Sequence, residues 1–185
     1  MNQNLKKLIE DNPCQRAWIE VSPSAVEANS RAIGRVLSSG SSLMAVVKAD
    51  GYGHGAATVA RASLQGGARE LGVATLQEGI QLRKEGLEAP ILLLGNLYEA
   101  DELQACLKWK LTVTLSSIKE AFLCENLASG KGRNFQVHLK LDTGMTRLGC
   151  DLGDAPGFVE RIEQLAHVEL KGIYSHLALA DAYPL

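Results

Sequence analysis

The chain has 185 residues, of which 46% are hydrophobic and 22% are charged, and its formal net charge is -2. A chain of this length can bury a sizeable core, which predicts one domain or two small ones. The small net charge, without any Lys/Arg block, argues against a nucleic-acid-binding protein. The sequence contains no signal-peptide core and no apolar run of membrane-spanning length. We therefore expect a cytoplasmic protein that acts on small molecules, without a metal ion.

The sequence of residues 1–37 predicts a leader, a strand and a helix. Residues 1–16 mix charged and amide side chains, which is typical of a weakly ordered leader. Ala17–Val21 alternates apolar and polar residues and predicts a short strand. Ser22 followed by Pro23 is the pattern of a helix N-terminus, and the apolar spacing after it predicts a helix to about Leu37.

From Leu43 onward, short apolar strands alternate with amphipathic helix patterns. This alternation predicts a parallel α/β sheet, either doubly wound or a (β/α)₈ barrel. Polar or reactive residues at the ends of several strands favour the barrel, because strand ends converge there on one mouth. Six strands are predicted where a complete barrel has eight, so we expect about six of the eight βα units. The predicted strands are Leu43–Lys48, Leu71–Thr75, Ala89–Leu94, Leu111–Leu115, Phe135–Leu141 and Val168–His176.

The sharpest chemical feature is Lys48, which follows an apolar run and precedes the glycine-rich turn ADGYGHG. Burial at a strand end disfavours the ammonium form, and the free amine is suited to forming a Schiff base. The alternative is a lysine that makes a salt bridge at the strand mouth. Tyr52 could donate to a phosphate near the lysine or pack against the first helix, and His54 is expected to cap or orient that helix.

A second cluster is VHLKLDTGMTRLG, residues Val137–Gly149. His138 and Lys140 share one face of the predicted strand, and a buried lysine needs an anionic partner or the loss of its charge. Arg147 follows in a glycine-containing loop, from which it could reach a phenolate or a carboxylate; the alternative is a surface arginine. Asp142 is expected to accept hydrogen bonds from the amides of its own turn.

A third cluster, GIYSHLALAD, places His176 at the end of the last predicted strand. A histidine in that position could stack on a flat cofactor or act as an acid or base. A core histidine with satisfied hydrogen bonds is the alternative.

Together, AVVKADGYGHG, HLKLDTGMTRLG and GIYSHLALAD resemble the alanine racemases, pyridoxal-phosphate enzymes that interconvert L- and D-alanine for peptidoglycan precursors. The resemblance begins at about Arg16. It implies that Lys48 holds pyridoxal 5'-phosphate as a Schiff base and acts as the base on one face of the alanine Cα. It further implies that Tyr52 contacts the cofactor phosphate, Arg147 hydrogen-bonds its phenolic oxygen and His176 lies against its pyridine ring. Lys140 matches a position that is carbamylated in some members.

The resemblance also implies parts that follow later in the family: two more barrel strands and a C-terminal β domain. That domain carries the tyrosine that serves as the opposite-face base across a homodimer interface, and Tyr183 does not match it. We therefore expect residues 17–185 to be the N-terminal part of the barrel and the 185 residues to be inactive by themselves. The alternative is a stand-alone barrel that binds pyridoxal phosphate without racemase activity.

Overall fold

The computed structural model describes residues 17–180, so the predicted leader and Tyr183 lie outside the described residues. Six parallel strands alternate with helices along the chain. The elements in order are α1 (Pro23–Val36), β1 (Met44–Val46), a short helical turn (Lys48–Gly53), α2 (Ala56–Gln65), β2 (Glu70–Val73), α3 (Leu76–Lys84), β3 (Ile91–Asn96), α4 (Ala100–Trp109), β4 (Thr112–Leu115), α5 (Ile118–Ala128), β5 (Phe135–Leu141), α6 (Ala155–Glu163) and β6 (Val168–Ser175).

The strands form one sheet in the order β1-β2-β3-β4-β5-β6, and every neighbouring pair is parallel. A doubly wound sheet reverses its strand order at a switch point, whereas a barrel wall adds its strands in sequence. The observed order is therefore that of the (β/α)₈ barrel type. Within residues 17–180, β1 pairs only with β2 and β6 only with β5, so each has one open edge.

The two faces of the sheet differ in chemistry. Side chains that point toward the helices form one apolar core, which includes Leu71, Leu93 and Phe135. Alternate residues point to the other face, which is the inner face of the barrel wall. There the register places His138 beside Gly172 and Lys140 beside Tyr174. The polar groups therefore collect on the inner face, on the later strands.

The six strands predicted from Leu43 onward are confirmed. The first helix is confirmed as well, and it begins at Pro23 with the Ser22 hydroxyl accepting a hydrogen bond from the Ala25 amide at 3.3 Å. The strand predicted over Ala17–Val21 is wrong, because the structure assigns no regular element there. A strand needs a partner for its backbone groups, and no described segment pairs with these residues. None of the described helices has the length and apolarity needed to cross a membrane.

Candidate active site

The carboxyl-terminal ends of β1, β5 and β6 open on one mouth of the barrel wall. Lys48 follows β1, Lys140 lies near the end of β5 with Arg147 in the loop after it, and His176 follows β6. These four residues were predicted from three separate motifs. Parallel strands end on the same side of the sheet, and for this reason the fold gathers them at one mouth.

Lys48 is half-buried and begins a turn of unusual handedness. Ala49, Asp50, Gly51 and Tyr52 all have positive φ, between 51° and 62°. Only glycine adopts this region without strain, and each other L-residue costs about 1–2 kcal/mol there. The turn is held by hydrogen bonds, including those from the Ala56 amide to Asp50 Oδ1 at 2.8 Å and from the Gly51 amide to the Val47 carbonyl at 2.9 Å.

Tyr52 lies at the end of the left-handed part of this turn, beside the lysine. Its side chain is 59% exposed, and the Lys48 Nζ lies 5.9 Å from the centre of its ring. The exposed ring leaves the hydroxyl free to donate, whereas packing against the first helix would bury it. His54 is exposed and its Nδ1 lies 3.1 Å from the Gly51 carbonyl oxygen, a contact within the turn that precedes α2.

Lys140 is 5% exposed, and its Nζ lies 5.7 Å from the ring centre of Tyr174. No carboxylate forms an ion pair with it among the described residues. Burial lowers the pKa of Lys140, and the nearby charges of Arg147 and Lys48 lower it further, while Asp142 raises it. The positive charges of Arg147 and Lys48 thus both disfavour the ammonium form of Lys140.

The lowered pKa of Lys140 makes stability depend on pH. The unfolded chain binds more protons than the folded chain between the folded-state pKa and the ordinary value of 10.5, so the wild type gains stability as pH rises through this window. We expect Lys140→Met to be more stable than the wild type near pH 7, and this advantage to shrink near pH 10. Urea unfolding of both proteins in CO₂-free buffer measures the difference. An equal difference at the two pH values would contradict the prediction, and Lys171→Met, at an exposed lysine, is the control.

Arg147 is exposed in the loop after β5, and the loop is tied back to its own strand. Asp142 Oδ1 accepts from the Gly144 amide at 3.0 Å and from the Thr146 amide at 2.9 Å, as the sequence predicted. These backbone hydrogen bonds lower the pKa of Asp142. Cys150 closes the loop by pairing with Leu141. Arg147 is thus an exposed residue on a loop that hydrogen bonds tie to its own strand.

His176 is exposed directly after β6, and no described side chain forms a hydrogen bond with it. This exposure rules out the core-histidine alternative. The ring is therefore available at the mouth for a flat ligand.

Tyr174 and two helix-capping glutamates lie close to the strand ends and were not predicted. Tyr174 OH lies 2.8 Å from Thr114 Oγ1 beneath Lys140, and burial raises the pKa of this tyrosine. Glu78 and Glu120 each belong to a capping box, in which the glutamate accepts amide hydrogen bonds at the start of its helix. The Thr75-x-x-Glu78 and Ser117-x-x-Glu120 spacings were the signal that could have revealed these glutamates.

The chemistry of the mouth fits pyridoxal 5'-phosphate. Lys48, Lys140 and Arg147 lie at or after strand ends on the same side of the sheet, and an anionic ligand there would offset the positive charges that act on Lys140. The cofactor carries a phosphate and a phenolic oxygen, and Lys48 offers an amine for covalent attachment. Among residues 17–180, no cluster of His, Cys, Asp and Glu is arranged to hold a metal ion.

Comparison with known proteins agrees with this geometry. The family model described as alanine racemase, N-terminal domain, matches residues 21–184. An alanine racemase of Prochlorococcus marinus is 57% identical over 170 residues, which are 92% of this chain and 44% of that protein. The chain thus spans less than half the length of this relative.

Solved structures give the same family. An alanine racemase from E. faecalis has a TM-score of 0.79 at 32% identity, over 87% of this chain and 44% of that one. A histidine racemase from Leuconostoc mesenteroides has a TM-score of 0.84 at 28% identity, over 94% of this chain and 46% of that one. The family model and these similarities show that the chain belongs to the alanine racemase family.

Proposed function

We propose that the complete polypeptide to which this chain belongs is a pyridoxal-phosphate-dependent racemase that interconverts L- and D-alanine. The observation that carries the proposal is geometric: Lys48 and Arg147 follow strands that end on the same side of one parallel sheet, and the buried Lys140 lies near the end of the strand before Arg147. A cytoplasmic location and a homodimer accompany the proposal as further expectations.

Lys48 is proposed to hold the cofactor through its amine and to act as the base on one face of the substrate Cα. Lys48 is half-buried directly after β1, and the left-handed turn that follows fixes the backbone from which its side chain extends. When bound, pyridoxal phosphate supplies an electron sink that makes the Cα proton acidic. A second base on the opposite face completes the proposed two-base mechanism.

The other proposed roles follow from position. The exposed hydroxyl of Tyr52 binds the phosphate near Lys48, and Arg147 donates to the phenolic oxygen from its tied loop. His176 lies against the pyridine ring at the end of β6. Tyr52 supplies the hydrogen-bond donor for the phosphate, Arg147 supplies the cation for the phenolic oxygen, and His176 supplies the flat ring for the pyridine.

Lys140 is proposed to be carbamylated by CO₂ and, as a carbamate, to brace Arg147. Its burial and lowered pKa favour the neutral amine, which is the form that reacts with CO₂. The carbamate would replace a buried positive charge by a negative one beside an arginine. A ¹³C carbamate resonance under ¹³C-bicarbonate, absent from Lys140→Met, reports the modification.

The test of the proposed function is a racemase assay of the complete polypeptide with added pyridoxal phosphate. L-alanine, L-serine and L-histidine are incubated separately, and the product enantiomers are separated by chiral chromatography. We expect D-alanine to form fastest. Lysine-dependent binding of the cofactor without turnover of any amino acid would instead favour the stand-alone cofactor-binding protein. The 185 residues assayed alone are expected to racemise alanine negligibly.

A further inference from the structure

We infer that Glu78 is a positioning residue for Lys48, because its carboxylate fastens the left-handed turn that carries the lysine to the end of the neighbouring strand. The effect of Glu78 on cofactor attachment at Lys48 rests on the proposed function. The structural part of the inference stands on contacts that are independent of any cofactor.

The carboxylate of Glu78 accepts three backbone hydrogen bonds. Oε2 accepts from the amides of Ala74 at 2.7 Å and Thr75 at 3.1 Å, which lie between β2 and α3. Oε1 accepts from the amide of Ala49 at 2.7 Å, and Ala49 directly follows Lys48. One side chain therefore connects the beginning of α3, the end of β2 and the residue after the lysine.

The Glu78 carboxylate is the acceptor that the Ala49 amide has in the described structure. Ala49 is the first residue in a run with positive φ, and its own turn supplies no acceptor for its amide among the described hydrogen bonds. A charged acceptor at 2.7 Å makes a stronger hydrogen bond than a neutral one. The contact thus holds the strained backbone at the point where the Lys48 side chain leaves it.

Glu120 provides a matched comparison within the same chain. It occupies the same capping-box position in α5 and accepts from the amides of Ser116 at 2.6 Å and Ser117 at 3.3 Å. Its third partner is the side-chain amide of Asn96, at 3.1 Å, and not a residue of the lysine turn. Glu120→Gln therefore disturbs a similar cap without touching Lys48.

The experiment compares Glu78→Gln with Glu120→Gln in the complete polypeptide. Glutamine keeps the shape of the side chain but replaces one acceptor oxygen by an NH₂ donor, so it cannot accept from both Ala49 and Ala74. Amide hydrogen exchange, measured by mass spectrometry without cofactor, should accelerate about 10-fold or more in peptides covering Lys48–Gly53 for Glu78→Gln only. Thermal unfolding of both variants shows whether a difference in exchange rate merely reflects a difference in overall stability.

A second readout follows Lys48 itself. The protein is incubated with increasing pyridoxal phosphate at several pH values, reduced with borohydride, and the labelled Lys48 peptide is quantified. We expect Glu78→Gln to need about 10-fold more cofactor for half-labelling, and Glu120→Gln to behave as the wild type. Unchanged exchange at Lys48–Gly53, or equal effects of the two variants there, would overturn the inference. Failure of the wild type to label at Lys48 would refute the proposed function, while the exchange result would still decide the role of Glu78.

Discussion

Replacing Lys48 by alanine is expected to lower the rate of alanine racemisation by at least about 10²–10⁴-fold, the range that one general acid–base group contributes. The loss of covalent attachment to the cofactor lowers the rate of racemisation further. Lys48 is the lysine that the fold places half-buried at the end of β1, beside the exposed Tyr52 ring. The rate is measured by chiral chromatography from both L- and D-alanine, at saturating pyridoxal phosphate.

Two control variants separate chemistry from charge and folding. Lys48→Arg keeps a positive charge but has no amine that forms a Schiff base, so it should be as inactive as Lys48→Ala. Lys171→Ala removes an exposed lysine of β6 that pairs with Glu169, and such surface pairs contribute only about 0–1 kcal/mol. It should keep wild-type activity. Enzyme-like activity in Lys48→Ala would refute the role of this residue.

Gly149→Ala is expected to destabilise the protein by about 1–3 kcal/mol and to lower activity by about 10²-fold. Gly149 has a φ of 123°, and an added Cβ would lie 2.6 Å from the Asp142 nitrogen and 2.6 Å from the Leu141 carbonyl carbon. Both atoms belong to the backbone and cannot rotate away. The loop must therefore shift, and with it the Arg147 guanidinium that is proposed to bind the cofactor.

Gly153→Ala is the control for this substitution. Gly153 lies a few residues further along, and an added Cβ there meets nothing within 4 Å. We expect Gly153→Ala to match the wild type in urea unfolding and in racemase rate, so that the effect of Gly149→Ala can be assigned to the loop. If the two alanine variants behaved alike, the loop would have no role in placing Arg147.

The alternation of strands and helices was readable from the sequence because each element has its own apolar period. Every predicted strand from Leu43 onward exists, and β5 has the predicted bounds Phe135–Leu141. The exception, Ala17–Val21, shows the limit of this reasoning. A period of two predicts a strand only where a partner strand is present, and the pattern contains no information about the partner.

For the candidate site, too, some features could be predicted from the sequence and others depend on the tertiary structure. The sequence by itself determined the motif residues Lys48, Tyr52, Lys140, Arg147 and His176, because strand ends and glycine-rich turns are local features. Only the tertiary structure decided that the charges of Lys48 and Arg147 act on Lys140, since such effects depend on distances across strands that are far apart in the chain. The same holds for Glu78, whose contact with Ala49 spans 29 positions and depends on the left-handed turn. Local periodicity and turn chemistry predict elements, but hydrogen bonds between elements depend on their packing.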